Sequence, residues 1–265
     1  MGLPEPVRVT SRENPLLQSI RKLGRDGGAY RQSGHVWLEG EHLCSALRAR
    51  GLRPDQALVA DSAWQQPALR SLAQWAPRVT LVSDALFEGI SALPSPARLG
   101  FLWSLPPAAE LRPDEATVVL DRVQDAGNVG SVLRTASAFG FRQILALRGT
   151  ALLWSPKVLR AGMGAHFGLH LVEGLEGDAV GRLTVPLLGT SLQATDELHR
   201  CRLPWPCAWL LGHEGQGAAA ELLHRCAATL RIAQPGGEES LNVAAAAAVC
   251  LYESLRQRLA EGSTQ

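Results

Sequence analysis

The residues Thr117-Val118-Val119-Leu120 lead, through a short connection, into Asp125-Ala126-Gly127-Asn128-Val129-Gly130, with Arg134 soon after. The first run reads as a buried strand, and residues 129–139 read as a helix. A strand, a glycine turn and a helix in that order set backbone N–H groups and polar side chains at the carboxyl end of a sheet. Open α/β sheets bind ligands there. For the glycines alone, a tight turn with a helix cap is a sufficient account. Arg134 lies among Val132, Leu133 and Ala136, so it is expected to face a cleft. The stretch is not G-x-G-x-x-G, which leaves the dinucleotide fingerprint unmet.

Outward from this unit the α/β texture continues. Residues 143–147, 186–188, 209–211 and 229–232 read as strands. Ser155 caps a helix that has Pro156 at its first position. Another helix starts at Ala218, and a long Ala-rich helix spans residues 241–259. Upstream, Leu16, Leu17, Ile20 and Leu23 have helical spacing. Residues 35–39, 58–60 and 79–82 read as short strands, with a helix through Leu43 and Leu47. Pro106, Pro107 and Pro113 break helix and ladder alike. The expected division is a flexible lead over 1–10, a small α/β domain over 11–103, a linker over 104–114 and a second α/β domain over 115–262.

Two further segments carry polar residues at strand ends. Gly212-His213-Glu214-Gly215-Gln216-Gly217 follows an apolar run, and its glycines let backbone approach a ligand closely; a plain loop is the alternative. Ser240-Leu241-Asn242-Val243 opens the last helix. Ser240 is a natural N-cap, and N–H groups at this helix start suit an anionic group. Asn242 in a first turn is a poor helix former without another use. The chain has only three asparagines, Asn14, Asn128 and Asn242, and two of them fall in these motifs. A carboxamide supplies an acceptor and two donors on a short stem.

Composition narrows the classes. A hydrophobic fraction of 46% over 265 residues supports a sizeable core, and a net charge of +1 gives no global field for a polyanion. Locally, Arg8, Arg12, Arg21, Lys22, Arg25 and Arg31 face only Glu13 and Asp26 between residues 8 and 31. That stretch is either a solvated surface or a phosphate-contacting arm. The five cysteines are odd in number and form no C-x-x-C, which argues against a disulfide framework or zinc site. His166 and His170 have the i,i+4 spacing of a metal pair, a weak signal on its own. Without a signal-peptide h-region or an apolar run of spanning length, the chain is expected to be cytoplasmic.

Taken together, the three segments resemble the signature motifs of the SpoU/TrmH RNA ribose 2′-O-methyltransferases of the SPOUT superfamily. The first motif, N-x-G-x-x-x-R-T-A, is matched by Asn128, Gly130, Arg134, Thr135 and Ala136. The second, G-x-E-G-x-G, is matched by Gly212, Glu214, Gly215 and Gly217. The third is matched by Ser240 to Val243 and by Leu251-Tyr252-Glu253. Ser155-Pro156-Lys157, Arg160-Ala161 and Gly164 look like a further family stretch, so the resemblance covers 117–258. Val36-Trp37-Leu38-Glu39-Gly40 is similar, less specifically, to an L30e-like substrate-binding domain. The chain departs from the pattern at Ala126, where Pro is common. It departs again at His213, where Asn or Ser is common, and over Ile232-Ala233-Gln234, where Ile-Pro-Met is common.

The resemblance implies an α/β fold with a trefoil-knotted catalytic domain, a homodimer, and S-adenosylmethionine as methyl donor, with no metal. It implies a pocket lined by Thr190, Gly212, Ile232 and Leu241. Asn128, Glu214, Ser240 and Asn242 would orient Arg134, the ribose and the cofactor loops. The family's Arg has been proposed as a general base. Guanidinium stays protonated in proteins, so Arg134 equally suits a phosphate and a developing alkoxide. The implied substrate is the ribose 2′-hydroxyl of RNA, with 23S ribosomal RNA favoured over tRNA. A non-catalytic RNA-binding protein and a small-molecule enzyme on a nucleotide-binding sheet are the competing readings.

Overall fold

The computed structural model describes residues 5–236 and 240–262. In chain order the elements are β1 (Val7–Arg8), α1 (Pro15–Arg25), α2 (Ala29–Ser33), β2 (His35–Glu39), α3 (Glu41–Ala49), β3 (Gln56–Ala60), α4 (Asp61–Trp64), α5 (Pro67–Ala73), β4 (Val79–Val82), α6 (Asp84–Ile90) and β5 (Leu99–Ser104). After an irregular stretch come β6 (Thr117–Leu120), α7 (Ala126–Ala138), β7 (Gln143–Leu147), α8 (Pro156–Gly162), β8 (His170–Leu175), β9 (Leu187–Thr190), β10 (Ala208–Leu211), α9 (Ala220–Leu223), β11 (Ala228–Leu230) and α10 (Val243–Gly262). Packing divides them into two compact units. One is residues 1–107 with 154–167; the other is 108–153 with 168–265. The division falls inside the Pro-rich stretch 104–114. The segment 154–167, read in sequence as part of the second domain, belongs to the first unit.

The first unit is built on a mixed five-stranded sheet of order β1-β4-β3-β5-β2. Its edge includes Val7–Arg8, paired parallel to Thr80–Leu81, so the expected flexible lead is ordered from there. A backbone bond from Val9 N to Leu81 O (2.9 Å) and the Arg8–Asp61 ion pair (2.9 Å) hold it. Gly100 sits opposite Glu39 in the β2/β5 ladder, where any Cβ would collide with the Trp37 ring. α8 belongs to this unit, capped as expected by Ser155, whose Oγ accepts from Val158 N.

The second unit carries a six-stranded, wholly parallel sheet of order β11-β9-β10-β6-β7-β8. Parallel strands covered on both faces read as continuous apolar runs, and β6, β7 and β10 are buried along their whole length. One face contributes Val119, Leu145 and Leu210 to a core with Val172, Leu187 and Leu222. On the other, α7 buries Val129, Val132, Leu133 and Ala136, and α10 packs along α7 and β10. Trp209 is fully buried, and its indole Nε1–H donates to Ser254 Oγ on α10 at 3.0 Å.

Chain order fixes where a ligand fits. From β6 the sheet grows one way through β7 and β8 and the other way through β10 and β9. The carboxyl ends of β6 and β10 therefore flank the point where the order reverses, the preferred crevice of an open parallel sheet.

Candidate functional site

Asp121 ends β6 and sets up the site. It is 3% exposed, accepts from Ala219 N at 2.7 Å, and is paired with Arg122 at 2.9 Å. Arg122 has φ of 58°, a left-handed conformation unusual for an L-residue. Its guanidinium reaches Gln216 Oε1 at 3.3 Å. A buried carboxylate needs such partners, and here they clasp the β10 loop to the end of β6. The sequence signal for Asp121 is an acid directly after the buried apolar run Val118-Val119-Leu120.

α7 begins at Ala126, earlier than the periodicity suggested. Asp125 is the N-cap, its side chain accepting from Asn128 N at 2.8 Å. Ala126 takes the first helical position, where Pro would also fit. The turn delivers Gln124 N, Asp125 N and the Asn128 carboxamide to Glu214. Glu214 accepts all three, at 3.2, 3.1 and 3.2 Å. Partial burial pushes the Glu214 carboxyl up. Hydrogen bonds from its own N–H, Asn128, Asp125 N and Gln124 N outweigh that and hold it below the usual carboxylate range.

The β10 loop closes on itself. His213 N donates to Gly217 O and Gly217 N to His213 O, at 3.0 and 2.8 Å. A Cβ at Gly212 would collide with the backbone of Gly217 and Ala218, so only glycine allows this closure. His213 Nδ1 accepts from Gly215 N and Gln216 N at 3.0 and 3.2 Å. It thus supplies the acceptor that a side-chain oxygen of Asn or Ser would supply.

The helix that Ser240 was expected to cap is capped by Asn242. α10 starts at Val243, and Asn242 Oδ1 accepts from Ala244 N and Ala245 N at 2.9 and 3.3 Å. Asn242 is therefore outside the first turn, which resolves its poor helix propensity. Its Nδ2–H donates to Asn128 Oδ1 at 3.0 Å. Glu214, Asn128 and Asn242 form one hydrogen-bonded chain that joins the β10 loop, the first turn of α7 and the start of α10.

Beside that chain lies an open cavity of about 410 Å³, lined among others by Thr190, Gly212, Glu214, Ile232, Ser240 and Leu241. All four residues expected to hold a cofactor line it, with Glu214 and Ser240 of the remaining five. Asn128 and Asn242 stand behind Glu214. Arg134 is exposed on α7, is absent from the lining, and makes no hydrogen bond or ion pair among the described residues. No described residue of this unit orients it. A small-molecule site typically occupies roughly 300–1,000 Å³ and combines apolar walls with a few polar groups. The residues present fit a nucleoside-bearing cofactor: Ile232 and Leu241 offer apolar walls, Gly212 admits close backbone approach, and Gln234 Oε1 in the lining is buried without a partner among the described residues.

Among the described residues no group of three or more His, Cys, Asp or Glu is placed to hold a metal ion, and no helix is long and apolar enough to cross a membrane. His166 lies in a 3-10 turn and His170 begins β8, so the pair does not share a helix face.

Known proteins match this arrangement. The profile of the SpoU rRNA Methylase family fits residues 115–252. An uncharacterized tRNA/rRNA methyltransferase of Synechocystis is 33% identical over 95% of this chain and 94% of its own. The 23S rRNA (guanosine(2553)-2′-O)-methyltransferase RlmP of Bacillus subtilis is 30% identical over 81% of this chain and 86% of its own. The AdoMet-bound rRNA methyltransferase of Sinorhizobium meliloti superposes with a TM-score of 0.80 at 26% identity, covering 94% of this chain and 97% of that one. With a family match over more than half its length, the chain belongs to the SpoU rRNA methylase family.

Proposed function

We propose that this protein is an S-adenosylmethionine-dependent RNA methyltransferase acting on a ribose 2′-hydroxyl, with 23S ribosomal RNA as its substrate. The observation that carries the reading is the Glu214–Asn128–Asn242 chain beside the Gly212 cavity at the sheet's switch point. The bound cofactor supplies an electrophilic methyl group on a sulfonium. The protein's share of the work is positioning and charge. Backbone at Gly212, Ile232 and Leu241, with Thr190, holds the cofactor, while Glu214 and Asn128 keep the β10 loop registered against α7. Asn242 sets the start of α10, and Ser240 lines the cavity beside it. Arg134, exposed and uncompensated, is available to a substrate phosphate and to negative charge developing on the 2′-oxygen.

The favoured RNA follows the names of the relatives, among them RlmP. The first unit is read as the L30e-like RNA-binding part, and trefoil threading of the second is carried over from the family. A homodimer is proposed because Phe139, Val249 and Tyr252 line a groove of about 520 Å³, with Val249 and Tyr252 41% and 52% exposed. A cytoplasmic setting accords with five free thiols.

The test is transfer of labelled methyl from the cofactor to RNA of a strain lacking the gene, followed by mapping. Incorporation into 23S RNA at a ribose is expected. Incorporation into tRNA alone would move the substrate, and cofactor binding without any transfer would favour the non-catalytic alternative.

A further inference from the structure

Five arginines stand exposed on the first unit without an ion pair among the described residues: Arg48, Arg50, Arg53, Arg70 and Arg78. They belong to α3, α5 and the connections after them, and α3 packs on α5. Neither residues 42–54 nor residues 62–83 contain an acid. The two acids between those stretches are bonded to other groups, Asp61 to Arg8 and Asp55 to Ser104 Oγ (2.8 Å). Positive charge is therefore gathered here in a chain whose net charge is only +1. Helix ends favour cations, which accounts for Arg48 and Arg70 in the last turns of α3 and α5. It does not account for Arg53 and Arg78, which lie in connections.

Two half-buried tryptophans organise the patch. Trp75 is fixed by its indole N–H, which donates to Leu52 O at 2.9 Å. The guanidinium carbons of Arg48 and Arg53 lie 5.7 and 5.0 Å from its ring centre. That of Arg70 lies 5.0 Å from the ring centre of Trp64, and Arg78 Nε reaches Asp55 O at 3.5 Å.

We propose that this face binds the sugar–phosphate backbone of RNA, with Arg48 and Arg53 contacting phosphates from their places on Trp75. The inference rests on the function proposed above and adds a surface of the first unit that holds the substrate. A guanidinium stacked on a ring keeps its N–H fork for bidentate contact with phosphate. The ring already restrains it, so less side-chain freedom is lost on binding. A ring covered by guanidinium is not an open stacking platform for bases, so the contact carries affinity and no choice of sequence. A nucleic-acid backbone offers a continuous row of anions to arginines spread over two helices and their connections; an acidic peptide is the competing partner.

The test is anisotropy titration of a fluorescent single-stranded RNA of mixed sequence with the full chain, from about 50 to 200 mM KCl. Arg48→Gln/Arg53→Gln should bind at least about tenfold more weakly at the low-salt end. Its log–log salt slope should be shallower by about 1.4, at about 0.7 per phosphate. The loss should be the same for a second RNA of unrelated sequence, with cofactor titration and melt as in the wild type. Arg48→Lys/Arg53→Lys keeps both charges but not the planar fork, so its slope should hold while its affinity falls. Arg142→Gln/Arg182→Gln removes two exposed charges from the second unit and should leave RNA binding near wild type. Equal weakening in that pair would reduce the effect to net charge and overturn the proposal, as would undiminished RNA binding in Arg48→Gln/Arg53→Gln. Poly-glutamate held as tightly as RNA by the same arginines would give the surface to an acidic protein and overturn it too. Labelled-methyl transfer separates this surface from the reaction. A wild type that transfers methyl while the glutamine pair binds RNA normally loses only the surface; patch-dependent RNA binding by a wild type that transfers none loses only the proposed reaction.

Discussion

The Asn242 carboxamide donates to Asn128 Oδ1 at 3.0 Å across 114 residues of sequence. Each of the two has a second duty: Asn128 donates onward to Glu214, and Asn242 Oδ1 caps α10. These duties separate under substitution. Asn242→Asp keeps the capping oxygen and places negative charge at a helix start, so stability should hold while the link to Asn128 is lost. Asn242→Ala loses the cap as well, at a cost of about 1 kcal/mol. Asn128→Asp brings a carboxylate against Glu214 and should weaken cofactor binding more than either change at Asn242. Urea melts and calorimetry on the three variants check the ranking; equal behaviour of Asn242→Asp and Asn242→Ala in the melts would remove the capping role.

Glu214 gives the site a pH dependence whose sign is fixed. Its carboxyl sits below its ordinary value of 4.5 in the folded chain. The stabilisation it contributes is therefore present above that value and is lost as pH falls through the lower, folded value. Protection of the Gln124 and Asp125 amides from hydrogen exchange should stay level from neutral pH down to about the ordinary carboxylate value and decline only below it. A decline centred above that value in the wild type contradicts the sign. In Glu214→Gln, Oε1 can still accept from Asp125 N and Asn128, but an NH2 meets Gln124 N–H. Cofactor affinity should drop about tenfold at neutral pH, and the acid decline should vanish.

Much of this site is legible in sequence, and its gaps have physical causes. The buried strands stood out because β6, β7 and β10 are apolar on both faces. Their register and order follow from pairings between distant segments, which local periodicity does not carry. The start of α7 was read late because Gly127 and Asn128 look like turn residues, yet the Asp125 cap makes them helical. Ser240 and Asn242 are both good capping residues, and only the position of the first helical residue, Val243, decides between them. Asp121 has no motif at all; burial makes it matter. The order of residues 7–8 was hidden because a two-residue edge strand has no pattern of its own.

Ser254 ties α10 to the central strand. It is 2% exposed, and its Oγ is the acceptor for the fully buried Trp209 indole N–H. Ser254→Ala leaves that donor unpaired and should cost about 1–3 kcal/mol. Trp209→Phe removes the donor but also part of the ring, so it destabilises on its own account. In the double variant the losses should be less than additive, because the second change no longer breaks a bond. Strict additivity in urea unfolding would mean that the Trp209–Ser254 bond contributes nothing.

Arg134 separates stability from function. It is exposed and makes no hydrogen bond or ion pair among the described residues, so Arg134→Ala should change unfolding free energy by no more than about 0.5 kcal/mol. It is absent from the cavity lining, so cofactor affinity should also be unchanged. Methyl transfer to RNA should nonetheless fall by at least about a hundredfold, the scale seen when a charge-stabilising donor is removed from a reacting oxygen. Arg134→Lys restores the charge but not the planar fork and should recover only part of the rate. The pattern to look for is a normal melt, normal cofactor titration and lost labelled-methyl incorporation. Near-normal turnover in Arg134→Ala would take Arg134 out of the reaction, and a lowered melting temperature would instead assign it a structural contact.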